Sequence, residues 1–140
     1  MALSTEYLER CIVTLETALK GLADHQPDEI AYDIYRAACV KEFELILEQS
    51  GRLLRKKIGA WSASNQAAAK LTFKDVFRTA AKHGLLEADE CERWLEYRES
   101  RNDTAHDYGE GFAESAVRRL PQFVVDARAL ARRLDERIEG

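Results

Sequence analysis

Between residues 117 and 138, apolar side chains recur at intervals of three and four: Val117, Leu120, Val124, Ala127, Leu130, Leu134 and Ile138. Such spacing returns a side chain to one direction at every α-helical turn, whereas a strand would scatter it over both faces. The segment from about Ala113 to Ile138 is therefore predicted as one long amphipathic helix, which Pro121 should kink or divide. An apolar stripe must be buried against something, and the remainder of the chain offers only further helices.

Residues 4–23 place Leu8, Cys11, Ile12, Leu15, Ala18, Leu19 and Leu22 on one face, with Ser4 as the N-cap and Gly21 near the end. After Pro27, a second helix is expected from near Asp28 to Ile58, with two apolar stripes: Tyr32, Tyr35, Cys39, Phe43, Ile46 and Leu53, and beside them Ile30, Ile34, Ala38 and Leu45. One neighbour needs one stripe, so two predict contact with two neighbours, or with one neighbour and a second subunit. A short third helix starts at Thr72, with Asp75 at capping-box spacing, and stops at Gly84. The fourth opens near "EADECERW", with Asp89 as the expected N-cap.

The fold class expected is all-α: an up-and-down four-helix bundle with one additional short helix. The 140 residues suit a single domain, 1–140, and 46% hydrophobic and 33% charged residues with only 2 prolines match a helical rather than a disordered or β-rich chain. Charges interrupt the apolar residues of "MALSTEYLERCIVTLE", so neither a signal peptide nor a membrane span is expected, and the cytoplasm is the expected location.

Cys11, Cys39 and Cys91 are far apart and lack metal-ligand spacing; buried, reduced thiols and no metal site are expected. A net charge of −4 argues against broad nucleic-acid affinity, leaving any RNA contact to a local basic cleft. Arg52, Arg55, Lys56 and Lys57 form a basic run at the end of the second helix, read either as complementing the helix dipole or as a phosphate contact. His25 and His83 are read as structural.

"RNDTAHDYGEG", residues 101–111, departs from the helical pattern. The buried face of the fourth helix, followed through Cys91, Trp94 and Arg98, arrives at Arg101 and Ala105; Trp94 and Arg101 differ by only about 20° in direction. An arginine aimed inward or into a groove is costly unless it meets an anion or a partner. His106 falls near the direction of Asn102, and Tyr108 returns to the Arg101 side, so the four side chains line one edge of a cleft if the helix reaches that far. Gly109 and Gly111 would then turn the chain away. Arginine and histidine in a last turn also serve as ordinary caps, and the residues alone leave both readings open.

At these residues the chain resembles the HEPN domains, and within them the HepT-like partners of small nucleotidyltransferases, also known as nucleotidyltransferase substrate-binding proteins. Their motif is an arginine, four to six residues, a histidine and, often, a tyrosine one residue later. "RNDTAHDY" matches it as Arg101, His106 and Tyr108, with the polar Asn102 after the arginine, and the flanks "YRAACVKEFELILEQSGRLLRKKI" and "FAESAVRRLPQFVVDARALARRL" are similar too. The resemblance covers roughly residues 5 to 138.

It implies a dimeric bundle whose two motif copies meet across a groove and cut RNA without a metal or other cofactor. Arg101 would hold the scissile phosphate and His106 would move a proton, with Asn102 in support. Arg98, Arg118 and Arg119 would add positive charge to the groove. The resemblance further implies a toxin whose antitoxin is a small nucleotidyltransferase, in some systems through transfer of AMP to the motif tyrosine, here Tyr108. The alternative is a non-catalytic substrate-binding or docking subunit of that nucleotidyltransferase.

Overall fold

The computed structural model describes the backbone of residues 4–61, 70–104 and 110–139, and within these the side chains of 4–60, 70–100 and 118–135. The elements are α1 (Glu6–Ala23), α2 (Ile30–Trp61), α3 (Phe73–Lys82), α4 (Ala88–Thr104) and α5 (Glu110–Glu139), with no strand among the described residues. Four long helices and one short one make the all-α bundle expected from the periodicity. Helix α2 is its axis: it packs against each of the other four, while α1 and α4 also meet α5, and α3 meets α4.

That position explains the breadth of apolar surface on α2. Cys39, Val40, Phe43, Ile46, Leu47, Leu53, Leu54 and Ile58 are buried, facing different neighbours. The second stripe is covered only in part: Ala38 and Leu45 are half-buried against the core, but Ile30 and Ile34 stay 74% and 63% exposed.

Local chemistry sets the helix ends, and it shifts several expected boundaries. The N-cap of α1 is Thr5 rather than Ser4: Ser4 Oγ accepts only from the Glu6 N–H at 3.4 Å, and the Thr5 hydroxyl, instead of capping, donates to Asp135 Oδ1 at 2.7 Å and ties α1 to α5. The start of α2 moves from Asp28 to Ile30, because the Gln26 N–H donates to Glu29 Oε1 and the Glu29 N–H to the Gln26 carbonyl, closing a turn that contains Asp28. Thr72 caps α3 as expected, its Oγ accepting from the Asp75 N–H at 3.1 Å, and Gly84 ends that segment with φ 82°, a left-handed conformation that suits glycine.

Asp89 is not the N-cap of α4. Glu90 reaches back to accept from the Glu87 N–H at 3.1 Å, so the helix opens two residues earlier, at Ala88, and Asp89 sits in its first turn, 3.4 Å from Arg93. Nor does Pro121 divide α5, which runs unbroken from Glu110 to Glu139. The missing proline N–H lies on the exposed side, and the stripe beyond it continues buried through Phe123, Val124, Ala127 and Leu130, so packing outweighs one lost hydrogen bond. Val117 and Ile138, the outer members of that stripe, lie outside the described side chains.

Gly21 has a different purpose from ending a helix. It lies inside α1, and a Cβ there would overlap the ring of Tyr35 on α2. His25 completes this corner, stacking on Tyr35 with ring centres 5.3 Å apart and donating from Nδ1 to the Gly21 carbonyl at 2.7 Å.

The centre of the core is aromatic. Trp94 of α4 is fully buried, with ring centres 5.1 Å from Phe77 on α3, 5.5 Å from Phe123 on α5 and 5.7 Å from Tyr97 one turn along its own helix. Phe123 also packs edge-on to Phe43 of α2 at 4.8 Å, so one connected cluster joins four helices.

Beside these rings, the α4–α5 contact carries a polar seam. Glu90, Arg93, Tyr97 and Ser100 recur along α4 at three, four and three residues, and each meets α5 running antiparallel. Glu90 pairs with Arg133 at 2.6 Å, and Arg93 binds Asp126 in a bidentate fork with both contacts 2.9 Å. Tyr97 donates to Asp126 Oδ2 at 2.5 Å, and Ser100 accepts from Arg119 at 2.8 Å. Gln122 adds a further donor to Asp126 at 3.1 Å. Burial, at 2% exposure, pushes the Asp126 carboxyl up, but the hydrogen bonds from Arg93, Tyr97 and Gln122 outweigh it and hold the group below the ordinary aspartate value. Burial first, then the same carboxylate, raises Tyr97, which stays a donor.

Three outcomes follow from this packing. Trp94→Ala should lower unfolding stability by about 3–5 kcal/mol in denaturant titration; Trp94→Phe should cost less, because it also removes the indole N–H, which has no partner among the described residues. Gly21→Ala, favourable in an isolated helix, should instead destabilise by about 1–3 kcal/mol through overpacking on Tyr35. Asp126 has a folded pKa below its unfolded one, so its stabilisation is complete above about pH 4–5 and is lost as the pH falls through the folded value. The stability gap between wild type and Asp126→Asn should thus be constant from about pH 5 to 8 and close below about pH 4; a gap independent of pH would contradict the assignment.

Candidate functional site

Helix α4 continues as far as Thr104, so Arg101 and Asn102 occupy its last turn. Their side chains lie outside the described part of the molecule, as do residues 105–109, among them His106 and Tyr108. Gly111 belongs to the first turn of α5 rather than to a turn leading away from the site. The motif thus begins on the end of α4 and continues through the five residues that separate it from α5.

Because α4 is regular to its end, position 101 stands one heptad after Trp94 and one turn after Tyr97, in register with the most deeply buried stripe of that helix. Along the stripe the chemistry changes. Trp94 and Tyr97 are buried, Arg98 is half-buried with its guanidinium 5.5 Å over the Phe73 ring, and Arg101 follows. Cations in the last turn of a helix also meet the negative end of its dipole. On the facing helix, Arg118 and Arg119 are exposed, with Arg119 donating to Ser100 immediately before the motif. The described surroundings of the motif thus carry Arg98, Arg118 and Arg119, interspersed with the exposed Glu96 and Glu99 of α4.

Other chemistry-bearing residues are occupied elsewhere. Arg52 pairs with Glu48 at 3.4 Å, and Arg55 donates to the Leu71 carbonyl at 2.8 Å, so these two members of the basic run brace the fold. His83 supplies the C-cap of α3. All three cysteines are free and buried; burial raises each thiol, that of Cys39 to about 11, which disfavours a thiolate nucleophile.

The sequence did not disclose the polar partners of α4. Asp126 does carry a signal, lying three residues after Phe123 and four before Leu130, on the flank of an inward stripe where a carboxylate demands a donor. Its partner Arg93 is 33 residues away on another helix, and periodicity within one helix gives no access to such pairs.

Residues 3–136 match the family described as "Nucleotidyltransferase substrate binding protein like". The chain is 24% identical over 140 residues to the "Probable ribonuclease HepT" of Haemophilus influenzae, across 96% of this chain and 94% of that one. Its fold is similar to the solved structure of HI0074 from the same organism, presented as the fold of a substrate binding domain of a nucleotidyltransferase, with a TM-score of 0.81 at 24% identity over 94% of this chain and 98% of that one. No described helix is long and apolar enough to cross a membrane. With the family matched over nearly its whole length and the helical architecture in agreement, the chain belongs to the HepT-like, nucleotidyltransferase substrate-binding protein family.

Proposed function

We propose that this protein is a metal-independent endoribonuclease whose reaction is carried by Arg101 and His106, and that it acts as the toxin of a pair with a small nucleotidyltransferase. The observation carrying this reading is the sequence Arg101-x4-His106-x-Tyr108, beginning on the last turn of α4, in a chain that matches a "Probable ribonuclease" along its length. The residue types suit the chemistry. A guanidinium binds a phosphodiester through a planar pair of donors and offsets the charge that develops on phosphorus-bound oxygen. An imidazole titrates near neutrality, so it can take the proton of a ribose 2′-hydroxyl or supply one to the leaving oxygen. Asn102 would orient either group.

A net charge of −4 gives the chain no long-range attraction for RNA, so substrate binding would depend on the arginines around the motif. A homodimer would double that charge by joining two motif copies across one groove. AMP on the Tyr108 hydroxyl would put an anion where the substrate phosphate has to sit, stopping cleavage by bulk and by repulsion. The description of the family as substrate-binding supports a second reading, in which the same face only docks to a nucleotidyltransferase.

Induced expression in a bacterium without the partner gene separates them. Wild type should arrest growth, and Arg101→Ala or His106→Ala should relieve the arrest by roughly 100-fold or more in colony counts, in line with the loss of a charge-stabilising or proton-transferring group. Growth unaffected by wild type, with a stable nucleotidyltransferase complex on purification, would favour docking; equal toxicity of the variants would overturn the roles given to these two residues.

A further inference from the structure

We propose that Asp126 is a positioning residue for the motif: by gripping Arg93 and Tyr97 it fixes the rotation of α4 about its own axis, and with it the direction from which Arg101 is presented. This rests on the function proposed above.

Geometry is the first reason. Arg93, Tyr97 and Arg101 follow one another at four-residue intervals, so the carboxylate holds two successive turns and the motif arginine stands on the next. Apolar surfaces tolerate some rotation and sliding of one helix on another, whereas a bidentate guanidinium–carboxylate fork and a 2.5 Å phenol bond weaken steeply when misaligned.

Placement is the second. Asp126 lies on α5, and α4 and α5 are the two helices that bracket residues 105–109. Fastening them together fixes the two ends between which His106 and Tyr108 must be held. The seam also reaches the motif itself, since Arg119 bonds to Ser100, the residue before Arg101.

Energetics is the third. A buried ion pair commonly stabilises a fold no more than well-packed apolar groups of the same size would. Trp94 and Phe123 of the same two helices already pack with ring centres 5.5 Å apart, so stability alone gives a weak reason for placing a carboxylate there. Directional control of a helix that presents a functional group gives a better one.

Steady-state cleavage of an RNA oligonucleotide by purified wild type, Asp126→Asn, Tyr97→Phe and Leu15→Ala, well below every melting temperature, tests the idea. Leu15 is buried on α1, so its truncation supplies destabilisation without touching the seam. Asp126→Asn should lower kcat by roughly 10- to 100-fold with KM changed by less than about twofold, as expected for misplacement of a reacting group. Tyr97→Phe, the milder variant should Asp126→Asn fail to fold, should lie between it and wild type, and Leu15→Ala should keep the wild-type kcat. In parallel, the NMR resonances of residues 98–104 and of the His106 ring should move in the first two variants and stay in place in the third. If wild type cuts no RNA, the ribonuclease reading fails while the resonances still decide the positioning role. An unchanged kcat in an active enzyme, or unmoved resonances, would overturn it.

Discussion

Asp126 is a carboxylate sealed between two helices, and the relation of α4 to α5 depends on how it is satisfied. Left unpaired at 2% exposure it would be intolerable; donors from Arg93, Tyr97 and Gln122 give it four hydrogen bonds. Three of these four bonds come from α4, so the carboxylate holds that helix in one rotation and one register. Glu90 with Arg133 and Ser100 with Arg119 extend the same constraint towards both ends.

The remainder of the bundle supplies cohesion rather than direction. Helix α2 touches all four others, and the aromatic cluster centred on Trp94 draws α2, α3, α4 and α5 onto one point. Such packing contributes most of the burial free energy but discriminates poorly between neighbouring orientations, which the polar seam does. The two devices meet at Tyr97, whose ring packs edge-on against Trp94 and Phe123 while its hydroxyl holds Asp126. From that residue one further helical turn leads to Arg101.

How much of this could be read in the sequence follows from what each feature depends on. Helix number, the inner members of the apolar stripes and the Thr72 cap are local, set by residues three or four apart, and the structure has them as expected, while Ile30 and Ile34 of the second α2 stripe stay exposed. Boundaries were less legible: Asp89 looked the better cap, but the longer Glu90 side chain reaches back to Glu87, a choice between two adjacent acids that spacing cannot make. Gly21 suggested a helix end, but the Tyr35 ring that requires it belongs to another helix. Pro121 suggested a kink or a break, and the break does not occur because the helix continues through it. At the site, the register of Arg101 with Trp94 was visible because it lies within one helix, while the network that fixes this helix, joining residues 19 to 43 apart, was not.

In the function proposed here, the Arg101 guanidinium holds an RNA phosphodiester and the His106 imidazole, five residues later, transfers a proton. The direct measurement is cleavage of an RNA oligonucleotide by the purified protein in excess EDTA, with the product ends identified by mass spectrometry. Cleavage should leave a 2′,3′-cyclic phosphate and a 5′-hydroxyl, and should not occur when the scissile ribose lacks its 2′-hydroxyl. Intact RNA under these conditions, or cutting that proceeds equally well at a 2′-deoxy position, would contradict it.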